Sequence, residues 1–202
     1  ALAADGYGDQ APRGHLVGRR LPRGTAGLVA ATRVISALLR GDTTGIGSDD
    51  DEFQLAAGTA LGFGERRSIP IHFGVYGERG VRSAGAVADG VRSAAQWDPA
   101  YTVEIRRWLH EAATDAGRDP ATMTLIAENW TCIHPDRDLA RRTARTLLAP
   151  FLPHLGQMLQ FFAIPDAEVD AARAAAAGDP AAAAAISDST IDRFMAAGDA
   201  DD

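Results

Sequence analysis

An α/β fold built on parallel strands is predicted by three features of this 202-residue sequence. Residues 69–75, IPIHFGV, form a short apolar run rich in β-branched and aromatic side chains, as in a strand buried on both faces. A glycine-punctuated turn and a small-residue helix follow it directly, and Asp89-Gly90 then leads into a second strand. After residue 69 the elements alternate β-α-β-α-β-α, the order that produces parallel strands joined by helical crossovers.

The elements are justified in turn. Residues 1–24 are rich in Gly, Arg and Pro without a clean period and read as a loop or tail. Residues 25–40 place Leu28, Ala31, Ile35, Leu38 and Leu39 near helical spacing, and Gly41 ends that helix. Residues 42–64 are a Gly-, Asp- and Thr-rich excursion that would suit a small hairpin. The strand at 69–75 has Pro70 at its start, and a helix over about 78–88 and a strand at 91–96 come next. Asp98-Pro99 is a helix start, with Asp as cap and Pro at the first helical position. Ile105, Trp108, Leu109, Ala112 and Ala116 make one apolar face of that helix, and Gly117 stops it. Residues 123–133 form the longest strand candidate. Asp136 caps a helix over 137–149, ended by Pro150. Residues 151–197 read as helical throughout, with interruptions near Pro165 and at Gly178-Asp179-Pro180. The alanine runs 174–177 and 181–185 favour helix and offer packing faces without chemistry.

Composition narrows the partners. With 46% hydrophobic and 23% charged residues, the chain can bury the core of one globular domain. A net charge of −7 argues against nucleic acid or an anionic membrane as the main partner. Cys132 is the single cysteine, so no internal disulfide can form and a reducing, cytoplasmic compartment fits. No apolar run is long enough to cross a bilayer, and no signal pattern opens the chain. The first residue is Ala1 rather than Met, which leads to the expectation that the chain is part of a longer reading frame.

The richest chemistry lies at 69–92. Gly74, Gly77 and Gly80 allow a sharp turn and a close backbone approach to a ligand. The helix opening near Arg79 would aim free N–H groups and its positive dipole end at that turn, a ready anion site. An ordinary βα turn that binds nothing has the same spacing. Arg79 and Arg82 either add charge to a phosphate or sit solvated. By period two, Glu128, Trp130 and Cys132 share one face of the strand at 123–133, with Asn129 and Thr131 on the other. Glu128 is a candidate general acid or base, or a holder of a substrate hydroxyl, against the plainer role of a buried ion pair. Trp130 reads as core. His15, His72, His110, His134 and His154 show no metal-ligand spacing, so no metal is expected, and His72 reads as a hydrogen-bonded core residue. Asp49-Asp50-Asp51-Glu52 reads as a solvated acidic loop.

Three stretches together carry a resemblance. Residues 69–91, IPIHFGVYGERGVRSAGAVADGV, resemble the strand, Gly-containing turn, helix and A-D-G segment of luciferase-like monooxygenases. Ala37-Leu38-Leu39-Arg40-Gly41-Asp42, then Asp51-Glu52-Phe53-Gln54-Leu55 and Leu61-Gly62-Phe63, are similar to that family's L-L-R-G-E helix end, its hairpin and its L-G-F. Ala116-Gly117-Arg118-Asp119-Pro120 resembles its A-G-R-D-P helix end. The similarity is to the branch that includes coenzyme F420-dependent oxidoreductases, and it spans roughly residues 25–198, leaving 199–202 as a tail.

The resemblance implies part of a (β/α)8 TIM barrel with a helical C-terminal segment, incomplete at both ends. Such a barrel takes about 250 residues and eight strands, whereas three strands are evident here. It further implies stopping before a last strand at about residues 197–199. The implied activity is hydride transfer between the deazaflavin coenzyme F420 and a small organic substrate. Gly74, Val75, Tyr76 and Gly77 match the family turn whose backbone touches the cofactor phosphate, with Arg79 beside it. Tyr76 departs from the small residue usual there, and its ring would either cover the cofactor or pack on the surface. The alternatives are an FMN-dependent monooxygenase of the same superfamily, or a truncated barrel acting as a non-catalytic binding or assembly module. A homodimer would suit either case.

Overall fold

The computed structural model describes residues 24–42, 53, 55–56, 58–62, 69–95 and 97–202. The acidic run 49–52, His15 and most of the expected hairpin lie outside the described residues. The chain divides into two compact units, one comprising the described residues up to Arg92 together with 107–125, the other 93–106 with 126–202.

Helix α1 spans Gly24–Arg40 and ends as expected at Gly41, whose φ of 79° is the left-handed conformation that glycine accepts most readily. Strand β1 is His72–Gly74, shorter than the expected 69–75. Pro70 has no N–H to give to a ladder, and Ile69 is exposed. Helix α2 covers Glu78–Val87 and strand β2 covers Gly90–Ser93. β1 and β2 pair in parallel, with His72 opposite Gly90, Phe73 opposite Val91 and Gly74 opposite Arg92. Phe73 and Val91 are buried together with Val81 and Ala84 of α2. Helix α3, Pro99–Asp115, starts where Asp98 accepts from the Ala100 N–H at 2.8 Å. Strand β3, Thr124–Ala127, completes a three-stranded sheet in the order β1-β2-β3.

The motifs that carry the family resemblance are joints of the first unit. Asp89 closes a reciprocal pair with Ile71: its carboxylate accepts from the Ile71 N–H at 2.8 Å, and its own N–H donates to the Ile71 carbonyl at 2.8 Å. Arg118 donates to the carbonyls of Gly85 at 2.8 Å and Ala88 at 2.6 Å, capping the C-terminal end of α2. Asp119 accepts from the Ala121 N–H at 2.9 Å and starts a short 3-10 turn at Pro120. A Cβ on Gly90 would overlap the Thr124 carbonyl oxygen and stand 2.9 Å from His72 Cδ2. A Cβ on Gly85 would stand 2.7 Å from the Leu109 carbonyl oxygen.

The second unit departs further from expectation. The single strand expected over 123–133 is two strands. β3 ends at Ala127, and β4, Trp130–Ile133, belongs to a separate two-stranded sheet. The break falls at Glu128-Asn129, after the Glu128 N–H makes its bond to the Ser93 carbonyl at 2.7 Å. The partner of β4 is β5, Met195–Gly198, where helix was expected. All of β5 is buried, which suits its small residues, and parallel pairing outweighs the helical preference of Met-Ala-Ala. Residues 195–198, expected at the end of a helical stretch, are therefore strand.

Helix α4, Arg137–Leu148, is capped by Asp136, whose carboxylate accepts from the Leu139 N–H at 3.1 Å. Helices α5, Gly156–Phe161, α6, Asp166–Ala176, and α7, Asp188–Phe194, follow. The second alanine run forms a 3-10 turn, Pro180–Ala185, rather than α-helix, so here too packing overrides propensity. Leu148, Leu152, Met158, Ile186, Ile191, Phe194 and Met195 make the core of this unit, and Phe162 meets Phe194 edge-on at 5.7 Å.

Arginines 137, 141 and 145, one turn apart on α4, hold acidic partners near the C-terminus. Arg141 is buried and meets Asp192 at 2.6 Å, Arg145 pairs with Asp188, and Arg137 reaches Asp202 at 2.8 Å. The Arg137 guanidinium, with the Asp199 N–H, lowers the Asp202 carboxyl to about 2. An unfolded aspartate titrates at about 3.9. Because the folded value is the lower one, this contribution to stability is complete above the unfolded value and fades as pH falls from about 4 towards about 2. An NMR titration of the Asp202 carboxyl carbon is expected to show the depressed midpoint, and an ordinary midpoint would refute the pairing.

Candidate functional site

β1 delivers the chain to a turn, Val75-Tyr76-Gly77, at its C-terminal end, and α2 begins immediately after it at Glu78. Gly77 is the N-cap residue of α2, in extended conformation with φ −81° and ψ 148°. It therefore owes nothing to left-handed geometry. Its value is the missing side chain: a Ser or Asp here would fold back onto the helix N–H groups, whereas glycine leaves donors of the first turn to an outside anion. Gly80 is explained by close approach as well. A Cβ on it would lie 3.0 Å from both Cβ and Cγ1 of Val75, so the turn packs directly against the first turn of α2. Val75 is buried there, while Tyr76 and Gly77 are half-buried.

The charges around the turn separate cleanly. Arg82, read from the sequence as either a phosphate contact or a solvated side chain, is held by carboxylates: its Nε donates to Glu78 at 2.8 Å and its guanidinium to Glu111 at 2.8 Å. These partners raise its pKa further. Glu111 is shared with Arg107 at 2.8 Å, and the two arginines lower its carboxyl. Arg82 also offsets the carboxylate of Glu78, which stands in the first turn of α2 and would otherwise repel an anion. Arg79, by contrast, is exposed and has no ion-pair partner among the described residues. The turn, its uncapped helix start and Arg79 thus fit a phosphate.

Glu128 is half-buried and stands between β3 and β4, so it does not share a strand face with Trp130 and Cys132. Trp130 packs on Phe151 with ring centroids 4.8 Å apart, and Cys132 is buried, which pushes its thiol pKa up. His72 departs from its expected hydrogen-bonded state: its Nε2 is buried without a hydrogen-bond partner among the described residues. Arg92 is the one exposed residue of β2. Among the described residues, no group of three His, Cys, Asp or Glu side chains is arranged to hold a metal. No helix among them is long and apolar enough to cross a membrane.

A parallel sheet with its turn-to-helix connection at the strand's C-terminal end is the arrangement of (β/α) barrel proteins. The chain belongs to the luciferase-like monooxygenase family, whose family model matches residues 6–202. Among solved structures it is similar to the coenzyme F420-dependent tetrahydromethanopterin reductase from Methanopyrus kandleri. That match has a TM-score of 0.71 at 22% identity and covers 88% of this chain and 52% of the reductase. It is also similar to an F420-dependent secondary alcohol dehydrogenase in complex with an F420-acetone adduct. There the TM-score is 0.59 at 20% identity, over 88% of this chain and 49% of the dehydrogenase. At these identities the likeness is one of fold. The chain spans about half the length of each, and its mixed α/β fold with parallel strands matches that part of them.

Proposed function

We propose that this chain forms the phosphate-holding part of an oxidoreductase that uses the deazaflavin coenzyme F420 on a small organic substrate. The observation that carries the reading is the 75–77 turn, with glycine as the N-cap residue of α2 and Gly80 packed against Val75. The N–H groups of the turn and of the first turn of α2 would hold the cofactor phosphate, with Arg79 adding charge from the exposed side. Arg82 keeps Glu78 from opposing that charge. When bound, the deazaflavin supplies hydride exchange with the substrate, while the protein places and orients both. Two F420-dependent enzymes of similar fold support the deazaflavin over FMN. Glu128, just beyond the C-terminal end of β3, remains the candidate proton carrier.

The test is binding of F420, followed by quenching of tryptophan fluorescence, with FMN titrated in parallel. A Gly77→Asp variant puts a carboxylate where the phosphate would sit and gives the helix a cap of its own. It is expected to keep its helical circular dichroism and to bind F420 at least about tenfold more weakly. Unchanged affinity in that variant would refute the phosphate role of the turn. Tighter saturable binding of FMN would replace the deazaflavin in this reading.

A further inference from the structure

We infer that Glu78 and Glu111, by holding Arg82 between them, make the 75–77 turn selective for a singly charged phosphate, a diester rather than a monoester; this rests on the reading of the turn given above. Glu78 stands in the first turn of α2, next in sequence to Gly77, so its charge lies beside any anion held there. Its carboxylate accepts from the Arg82 Nε at 2.8 Å, and the Arg82 guanidinium donates to Glu111 of α3 at 2.8 Å. Arg107 donates to the other oxygen of Glu111 at 2.8 Å. Two carboxylates thus face two guanidiniums, and the group adds no net charge to the site.

Arg82, one turn into the helix after Glu78, would otherwise be the natural second cation for a bound phosphate. Its donors are instead taken by carboxylates. That leaves Arg79, exposed and without an ion-pair partner among the described residues, as the cation of the first turn. Attraction to a cation grows in proportion to the charge of the ligand, whereas the cost of taking the ligand out of water grows with the square of that charge. One cation therefore compensates a singly charged phosphate better than a doubly charged one. Glu78 and Arg82 act through space, so this selection needs no contact between either side chain and the phosphate. All four paired side chains are partly exposed, so the effect is modest and weakens as salt is added.

The experiment compares ligands that differ only at the phosphate. In F420 the phosphate is a diester with one charge; the phosphate monoester of the same deazaflavin core gains a second charge above a pKa of about 6. The phosphate-free core is the control. Each is titrated, well above that pKa and at low salt, against the wild-type chain, Glu78→Gln, Glu111→Gln and Gly77→Asp, with a thermal melt confirming that every variant folds. Glutamine can still accept from Arg82 but carries no charge. The wild-type chain is expected to bind F420 at least about threefold more tightly than the monoester. Glu78→Gln is expected to tighten F420 about twofold and the monoester about fivefold, because each ligand charge feels the same change of field. Glu111→Gln should move the ratio the same way, and the phosphate-free core should not respond to either. Equal changes in both phosphate ligands, or none, would overturn the selection. A shift with Glu78→Gln alone would be a local effect at the helix start and would overturn the shared hold on Arg82. If Gly77→Asp weakens both phosphate ligands while the two glutamine variants leave their ratio unchanged, the turn stands and the charge selection falls. If the wild-type chain binds neither phosphate ligand more tightly than the core, the phosphate reading itself fails, and the selection with it.

Discussion

Gly90→Ala is expected to unfold the first unit, although it adds a single methyl group. The new Cβ would overlap the Thr124 carbonyl oxygen, lie 2.8 Å from the Thr124 carbonyl carbon and press on the His72 ring. Relief is hard to find, because two of these three contacts are backbone rather than a movable side-chain end. β3 would have to leave β2, giving up the bond from the Thr124 N–H to the Asp89 carbonyl, now 3.0 Å. We expect a loss above about 4 kcal/mol, beyond the range of ordinary substitutions. Urea unfolding followed by far-ultraviolet circular dichroism measures it. A midpoint equal to that of the unsubstituted chain would mean that β3 does not lie where it is described.

Arg118→Met is expected to be the next most damaging change, at about 2–3 kcal/mol. The methionine keeps the stem and removes the two bonds to the Gly85 and Ala88 carbonyls. These are orphan acceptors at the end of a helix, with no helical donor of their own. The ion pair of Arg118 with Asp89, at 3.8 Å with Asp89 half exposed, contributes little by comparison. Hydrogen exchange should locate the damage: amides at the end of α2 should exchange faster, while those of α4 keep their protection. Uniform acceleration across the whole chain would show that Arg118 supports more than this joint.

What could be read from the sequence follows from where each element gets its stability. α2, α3 and α4 were legible because their starts and stops are local: Gly77, Asp98-Pro99 and Asp136 before them, Gly117 and Pro150 after two of them. β5 was not legible. Met-Ala-Ala-Gly is a strand only because β4 pairs with it, a partner more than sixty residues away in sequence. The same long-range pairing broke the run 123–133, since Leu125 and Cys132 serve different sheets and alternation alone cannot show where a chain changes partners. At the candidate site, the turn and its glycines were evident, but their reason was not. The glycines at 77 and 80 give space rather than unusual backbone angles. Arg82 seemed a candidate for phosphate because sequence spacing could not reveal Glu111, brought in from α3.

The division between the two ends of the first sheet matters for anyone wishing to alter this protein. Gly85, Asp89, Gly90 and Arg118 do their work by steric fit and backbone bonding at the start of β2 and the end of α2. Tyr76 and Arg79 follow the opposite, C-terminal end of β1, Tyr76 half-buried and Arg79 exposed. A mutant library confined to the second set should therefore yield mostly foldable clones with varied ligand preference. One confined to the first should yield mostly insoluble clones whatever ligand is supplied. Recruitment of the scaffold to new chemistry can proceed at one rim while the other stays untouched.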